Sequence, residues 1–230
     1  MIALNNMYDY GVGKRAEHNG SRHYITDGGH KVASVTTILG KTKDMTHLHE
    51  WRNRVGHAVA NQISRESADL GTLMHTHLEK YILGQHRPTG TNVGRVMAQQ
   101  MADVIIAQGL SKVQEVWGIE APLWFETFWA GTTDCVGVHD NVPSIMDFKT
   151  TNKMKKREWI EDYFLQLVAY AMAHNYRFNT NIQRGVIFMA SRNLEYAEFV
   201  IEGDEFEHYK SIWCQRVAQY YDQHELPNAA

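Results

Sequence analysis

The spacing of apolar and polar residues changes period near residue 112 and separates two kinds of predicted element. Before that point, Tyr24 to Ile38 reads as a hairpin: strand residues, the turn formers Asp27-Gly28-Gly29, then the β-branched run Val32 to Ile38. A helix is predicted over about 46–65, carrying Trp51, Arg52 and Arg54. Asp69 caps a second, LGTLMHTHLEKYILG, which Gly84 ends. A third runs over about 92–108, with Val93, Val96, Met97, Met101, Val104 and Ile105 at helical spacing. Alternation then takes over, predicting strands at 113–120, 122–130, 132–139 and 143–150. A helix over 156–174, strands at 185–190 and 196–202 and a helix over 204–221 follow. This order implies an α/β chain with a central mixed β-sheet flanked by helices and a helical N-terminal part. The reading is one domain over 1–230: 1–112 supplies the hairpin and helices, and 113–225 the core sheet with its helices.

The most informative stretch is 131–149, GTTDCVGVHDNVPSIMDFK. Asp140-Asn141 suits a two-residue turn, so His139 pairs with Val142 and the register sets Asp134 opposite Asp147. Lys149, two residues on, shares their face. Facing carboxylates repel each other. A divalent cation between them reverses that, and oxygen ligands suit magnesium or manganese, as one ion or two. The main-chain carbonyl of Phe148 is a natural further ligand, and Lys149 can orient water or stabilise charge on a phosphate. Acid, acid and lysine therefore point to metal-assisted phosphodiester hydrolysis.

Other residues fit around this core. On its helix His75 shares a face with Glu79, while His77 points elsewhere; His75 can ligate a metal or hold a DNA end. Gln166 and Tyr170, four apart, can hydrogen-bond phosphate together. Residues 149–157, KTTNKMKKR, place Lys153, Lys155, Lys156 and Arg157 with Thr150 and Thr151 beside Lys149, a loop suited to gripping DNA backbone. Trp51 and Trp159 are available to stack on unpaired bases.

Composition narrows the setting. A net charge of -3 excludes nucleic-acid binding by bulk charge, so DNA contact needs a local basic patch. Two cysteines read as a reducing, cytoplasmic setting (host-cell cytoplasm if phage-encoded) and exclude a four-thiolate iron–sulfur cluster. The N-terminus does not read as a signal peptide, and no run is apolar enough to span a membrane. His-x-His pairs at 47/49 and 75/77 raise a zinc hydrolase, but H-E-x-x-H is missing and histidines two apart diverge on a helix.

In order, GTLMH, GTTDCVG, IMDFKTT and QLVAY resemble the RecB-type branch of the PD-(D/E)xK nucleases. SVTTILG at 34–40, with Trp51 downstream, further resembles the mitochondrial genome maintenance exonuclease family and its phage relatives. The resemblance runs from Ser34 to Tyr170. It implies a restriction-endonuclease-like core and a metal-dependent DNA exonuclease. It puts metal on His75, Asp134, Asp147 and the Phe148 carbonyl, with Glu120 at a less constant acidic position. Catalysis falls to Lys149, and Gln166 and Tyr170 become contacts to DNA, single-stranded or with a free end. The alternatives are a non-catalytic DNA-binding or recombination-accessory protein on the same fold and a double-strand-end-processing nuclease.

Overall fold

Period-two sequence after residue 112 becomes most of a six-stranded mixed sheet, and the helical segments cover its two faces. In this computed structural model residues 2–18 and 20–224 are described, His18 by its backbone alone. The N-terminal part holds β1 (Ala3–Leu4), β2 (Lys14–His18), β3 (Ser21–Ile25) and β4 (Lys31–Ala33). Four helices follow: α1 (Val35–Thr42), α2 (Thr46–Val55), α3 (His57–Ile82) and α4 (Val93–Gln108). Then come β5 (Val113–Phe125), β6 (Trp129–His139), β7 (Val142–Thr151), α5 (Glu161–Phe178), β8 (Arg184–Ser191), β9 (Tyr196–Glu202) and α6 (Gly203–Tyr221). The large sheet has the order β1-β5-β6-β7-β8-β9; β1 runs parallel to β5 and β7 parallel to β8, and the other pairs are antiparallel. Strands β2, β3 and β4 form a separate small sheet.

Alternation along the strands explains the two cores. On one face Val136, Ile145 and Ile187 meet Phe164, Leu167 and Val168 of α5, with Ile38 of α1 and Trp213 of α6. On the other, Cys135, Met146, Phe148 and Phe188 meet Leu70, Met74 and Leu78 of α3 and Met101 and Ile105 of α4. Residues one apart on a strand serve opposite faces.

Several predicted boundaries move, each for a local reason. The hairpin around 24–38 forms between β3 and β4, but Val35 to Ile38 is helical, not strand. Ser34 caps that helix by accepting from the Thr37 amide (3.0 Å), and Val35, Ile38 and Leu39 bury one face of it. The break in the N-terminal helices falls at Gly56 (φ 87°), not Asp69, so α3 runs unbroken through 57–82. Residues 113–130 do not break at 121. Strand β5 passes through Pro122 because β1 pairs only with Glu115 and Val116, leaving that edge needing no amide at Pro122. The chain turns instead at Glu126 (φ 45°). Helix α5 begins at Glu161, so the basic residues before it lie in a loop and a short 3-10 turn.

The N-terminal segment is tied to α5 through His174, which is fully buried. Its Nε2 lies 3.0 Å from the Tyr10 hydroxyl and its Nδ1 2.8 Å from Thr180 Oγ1. The rings of Tyr8, Trp117 and Phe178 surround it. Burial, then the nearby Arg177 guanidinium, push its pKa down to about 4. The unfolded imidazole takes its proton near 6.5. Stability from this residue is therefore complete above about pH 6.5 and is lost as pH falls toward 4, on the order of 2–3 kcal/mol. Urea unfolding should show a lower midpoint at pH 5 than at pH 7.5, and His174→Gln should remove part of that difference. Equal pH dependence in both proteins would contradict it.

Candidate functional site

The Asp140-Asn141 turn forms as read: both residues have positive φ (46° and 64°), and His139 pairs with Val142. The register holds to Cys135–Met146, where the β6–β7 ladder ends. One step further Asp134 and Asp147 would face each other, and there the strands use side chains instead. Asp134 Oδ2 accepts from the Phe148 amide (2.8 Å). Strand β7 continues against β8 to Thr151. The end of one ladder thus leaves two carboxylates beside a gap in the sheet.

Three other elements close on that gap. From α3, His75 donates from Nε2 to the Phe148 carbonyl (2.8 Å) and points Nδ1 at Asp134 Oδ1 (3.6 Å) and Glu120 Oε1 (3.9 Å). From β5 comes Glu120. Its neighbours pair as Ile119–Cys135 and Ala121–Thr133, so Glu120 stands across from Asp134, in a left-handed backbone (φ 47°) that is costly for a glutamate. From α5, Gln166 accepts from Lys149 Nζ (3.2 Å) and donates to the Tyr170 hydroxyl (3.4 Å). Tyr170 fits because Gly131 faces it; a Cβ there would come within 2.7 Å of the ring.

The electrostatics follow from burial among these groups. Asp147 is almost fully buried; burial, then Asp134, push its pKa up to about 6 against the pull of Lys149. Lys149 Nζ lies 2.5 Å from Asp147 Oδ2, and the two carboxylates outweigh burial and hold its pKa above the usual lysine value. Burial alone would lower His75, but Asp134, Glu120 and Asp147 prevail and raise it to about 9. Asp147 Oδ1 is buried and accepts no hydrogen bond. His75, Glu120 and Asp134 offer ligand atoms within 4.8 Å of one another, and the orphaned Asp147 oxygen feels the charges of His75 and Asp134; carboxylates with one imidazole are donors that fit a hard divalent cation.

Most of the expected site residues meet here: His75, Glu120, Asp134, Asp147, Phe148, Lys149, Gln166 and Tyr170. The Phe148 carbonyl, expected as a metal ligand, accepts from His75 and keeps a second lone pair. Glu79 lines the same cleft as His75 while His77 is buried in the other direction, as their helix positions require. The basic loop divides. Arg157 is held by Glu205 (2.6 Å) and the Val200 carbonyl (2.7 Å) on the α6 side, so its charge is already neutralised. Lys155 donates to the Tyr163 hydroxyl (2.9 Å) and, with Thr150 and Thr151, lines a smaller hollow that excludes the acidic groups. Tyr163 also underlies Lys149 (5.0 Å). Lys153 and Lys156 are exposed, and Thr151 caps its own loop by donating to the Lys153 carbonyl (2.7 Å). Trp159 is exposed under Lys156, and Trp51 is half-buried.

The main cleft, about 600 Å³, has a wall that the sequence reading omitted: Arg15, Arg22 and Tyr24 of the small sheet, with Thr36 and Thr132. Alternation over Lys14–Ile25 about Asn19-Gly20 is the signal that would have located the β2–β3 hairpin.

No protein-family model matches the chain. It is 26% identical over 220 residues to mitochondrial genome maintenance exonuclease 1 of Xenopus tropicalis, covering 87% of this chain and 60% of that protein, so it spans about three-fifths of that relative's length. A solved structure of a candidate exonuclease from Eubacterium rectale is similar at a TM-score of 0.49 and 12% identity, over 72% of this chain and 71% of that one.

Proposed function

We propose that this chain, a homologue of the mitochondrial genome maintenance exonuclease carrying the residue set of a PD-(D/E)xK-type nuclease, is a divalent-metal-dependent DNA exonuclease that hydrolyses single strands from an end. One convergence carries the reading. A histidine from α3, carboxylates from β5, β6 and β7, and a largely buried lysine all meet at the open end of one strand ladder. A structural sheet gains nothing from three neighbouring carboxylates.

Magnesium or manganese would be held by Asp134, Asp147 and Glu120, with His75 as a nitrogen ligand. When bound, such an ion supplies Lewis acidity toward the phosphoryl oxygens. The chain's own groups do the rest. Lys149, held in place by Asp147 and Gln166, places a positive charge and hydrogen-bond donors where the phosphate gathers negative charge. Gln166 and Tyr170 orient the strand by hydrogen bonds to phosphate, and the hydroxyl of Tyr170 stays protonated because burial raises its pKa. Lys153, Lys155 and Lys156 take backbone phosphates beyond the site.

A cleft of about 600 Å³ falls within the range of pockets that enclose a small ligand, roughly 300–1,000 Å³. It admits a short piece of single strand; a duplex is far wider, since its major groove alone is about 12 Å across. Dependence on an end has a direct test. With magnesium or manganese, a linear labelled single strand should be degraded, a covalently closed single-stranded circle should survive, and chelator should stop the reaction. Equal digestion of circle and linear strand would refute end dependence.

A further inference from the structure

The acidic cleft contains two arginines that the chemistry above leaves unused. Arg15 and Arg22 both line it, together with Glu79, Glu120 and Asp134. Strand pairing explains why they face inward. Arg15 lies opposite Tyr24 and Arg22 lies two residues before it, so all three share one face of the β2–β3 hairpin. That face is fixed against the site strand: Tyr24 is buried, and its hydroxyl lies 3.2 Å from Thr132 Oγ1, two residues before Asp134. The backbone at Arg22 is fixed as well, its carbonyl accepting from the Ser34 amide (3.1 Å) and the Thr37 hydroxyl (2.8 Å). Yet among the described residues neither guanidinium has a carboxylate within 4.0 Å, although Glu17 stands opposite Arg22 in the strand pairing. Anchored strands that aim two unpaired guanidinium groups into a cleft full of carboxylates are arranged for an anion from outside.

We infer that Arg15 and Arg22 clamp a non-scissile phosphate of the strand whose neighbouring phosphate reaches Asp134 and Lys149. The clamp rests on the nuclease reading and assigns the substrate contacts of that same site. Acids on the floor would be neutralised by the metal, and the arginine wall would supply the charge that a net of -3 lacks. A guanidinium fork matches two phosphate oxygens, which an ammonium does not.

The test is fluorescence anisotropy with a short fluorescein-labelled single-stranded oligodeoxynucleotide, magnesium, and Lys149→Met as the parent, so that cleavage is suppressed while the proposed metal ligands stay in place. Adding Arg15→Gln and Arg22→Gln together should weaken binding at least about 10-fold at 0.15 M salt. The plot of log affinity against log salt should become shallower by about 0.7, the value for one phosphate contact on a single strand. The corresponding lysine variants should keep the slope and recover only part of the affinity. An unchanged affinity and slope in the glutamine variant would overturn the clamp. So would loss of the parent's manganese-induced rise in melting temperature, which would mark the arginines as structural. If wild-type protein cleaves no DNA, the nuclease reading fails while anisotropy still decides the clamp; if the parent binds no DNA although wild type cleaves it, the clamp fails and the nuclease reading stands.

Discussion

Lys149→Met is expected to lower the rate of single-strand hydrolysis by about 10²–10³ or more with little change in KM, because the charge is used as the phosphate becomes more negative. The environment leaves no substitute. Lys149 Nζ is the cation that touches Asp147 (2.5 Å) and Gln166 (3.2 Å), and Lys155 of the same loop lines the smaller hollow, away from the carboxylates. The same substitution has a cost in stability. Removing one partner of a buried ion pair leaves the other unpaired, typically worth about 3–5 kcal/mol. Asp147 is that partner. Adding Asp147→Asn to Lys149→Met should therefore return most of the lost stability in urea unfolding while leaving the protein inactive. A double variant that regains activity, or a single variant that keeps it, would remove Lys149 from the chemistry.

The second large effect is expected at Asp134, which has two tasks that substitutions can separate. Its Oδ2 accepts from the Phe148 amide, and its Oδ1 faces His75. Asp134→Asn keeps an acceptor for the amide, so the metal-free protein should unfold within about 1 kcal/mol of wild type. Asp134→Ala strands that buried amide and should cost about 1–3 kcal/mol. Both should lose cleavage, and both should lose the stabilisation that manganese gives wild type. Stabilisation by a ligand grows with the logarithm of its concentration over Kd, so a titration of melting temperature against manganese reads the loss directly. If Asp134→Asn kept the full shift, the metal would have to be held elsewhere.

Parts of this site were legible because their determinants are local. A two-residue turn at Asp140-Asn141 sets one register, and that register places Asp134, Asp147 and Lys149 on one face without knowledge of the rest of the chain. Helical spacing likewise joined His75 to Glu79 and Gln166 to Tyr170. Where the reading went astray, local signals competed. Val32 to Ile38 has strand composition, but Ser34 supplies a cap and the buried positions fall at helical spacing, so the helix prevails after Ala33. Other partners lie beyond local reach: the basic loop shows Arg157 as one of its cations. That Glu205, 48 residues later, neutralises it could not be read from the loop.

The sequence by itself therefore determined the β6–β7 hairpin, its register and the faces of two helices, because these depend on residues a few positions apart. Only the tertiary structure decided what the hairpin meets. Packing brought His75 across 73 residues to the Phe148 carbonyl, and a strained backbone placed Glu120 opposite Asp134. The small sheet set Arg15 and Arg22 on the wall of the same cleft. Such meetings depend on how whole elements bury their apolar faces, and a carboxylate or guanidinium carried on an element contributes little to that choice. Its place follows from side chains such as Met74, Cys135 and Tyr24, which carry none of the chemistry.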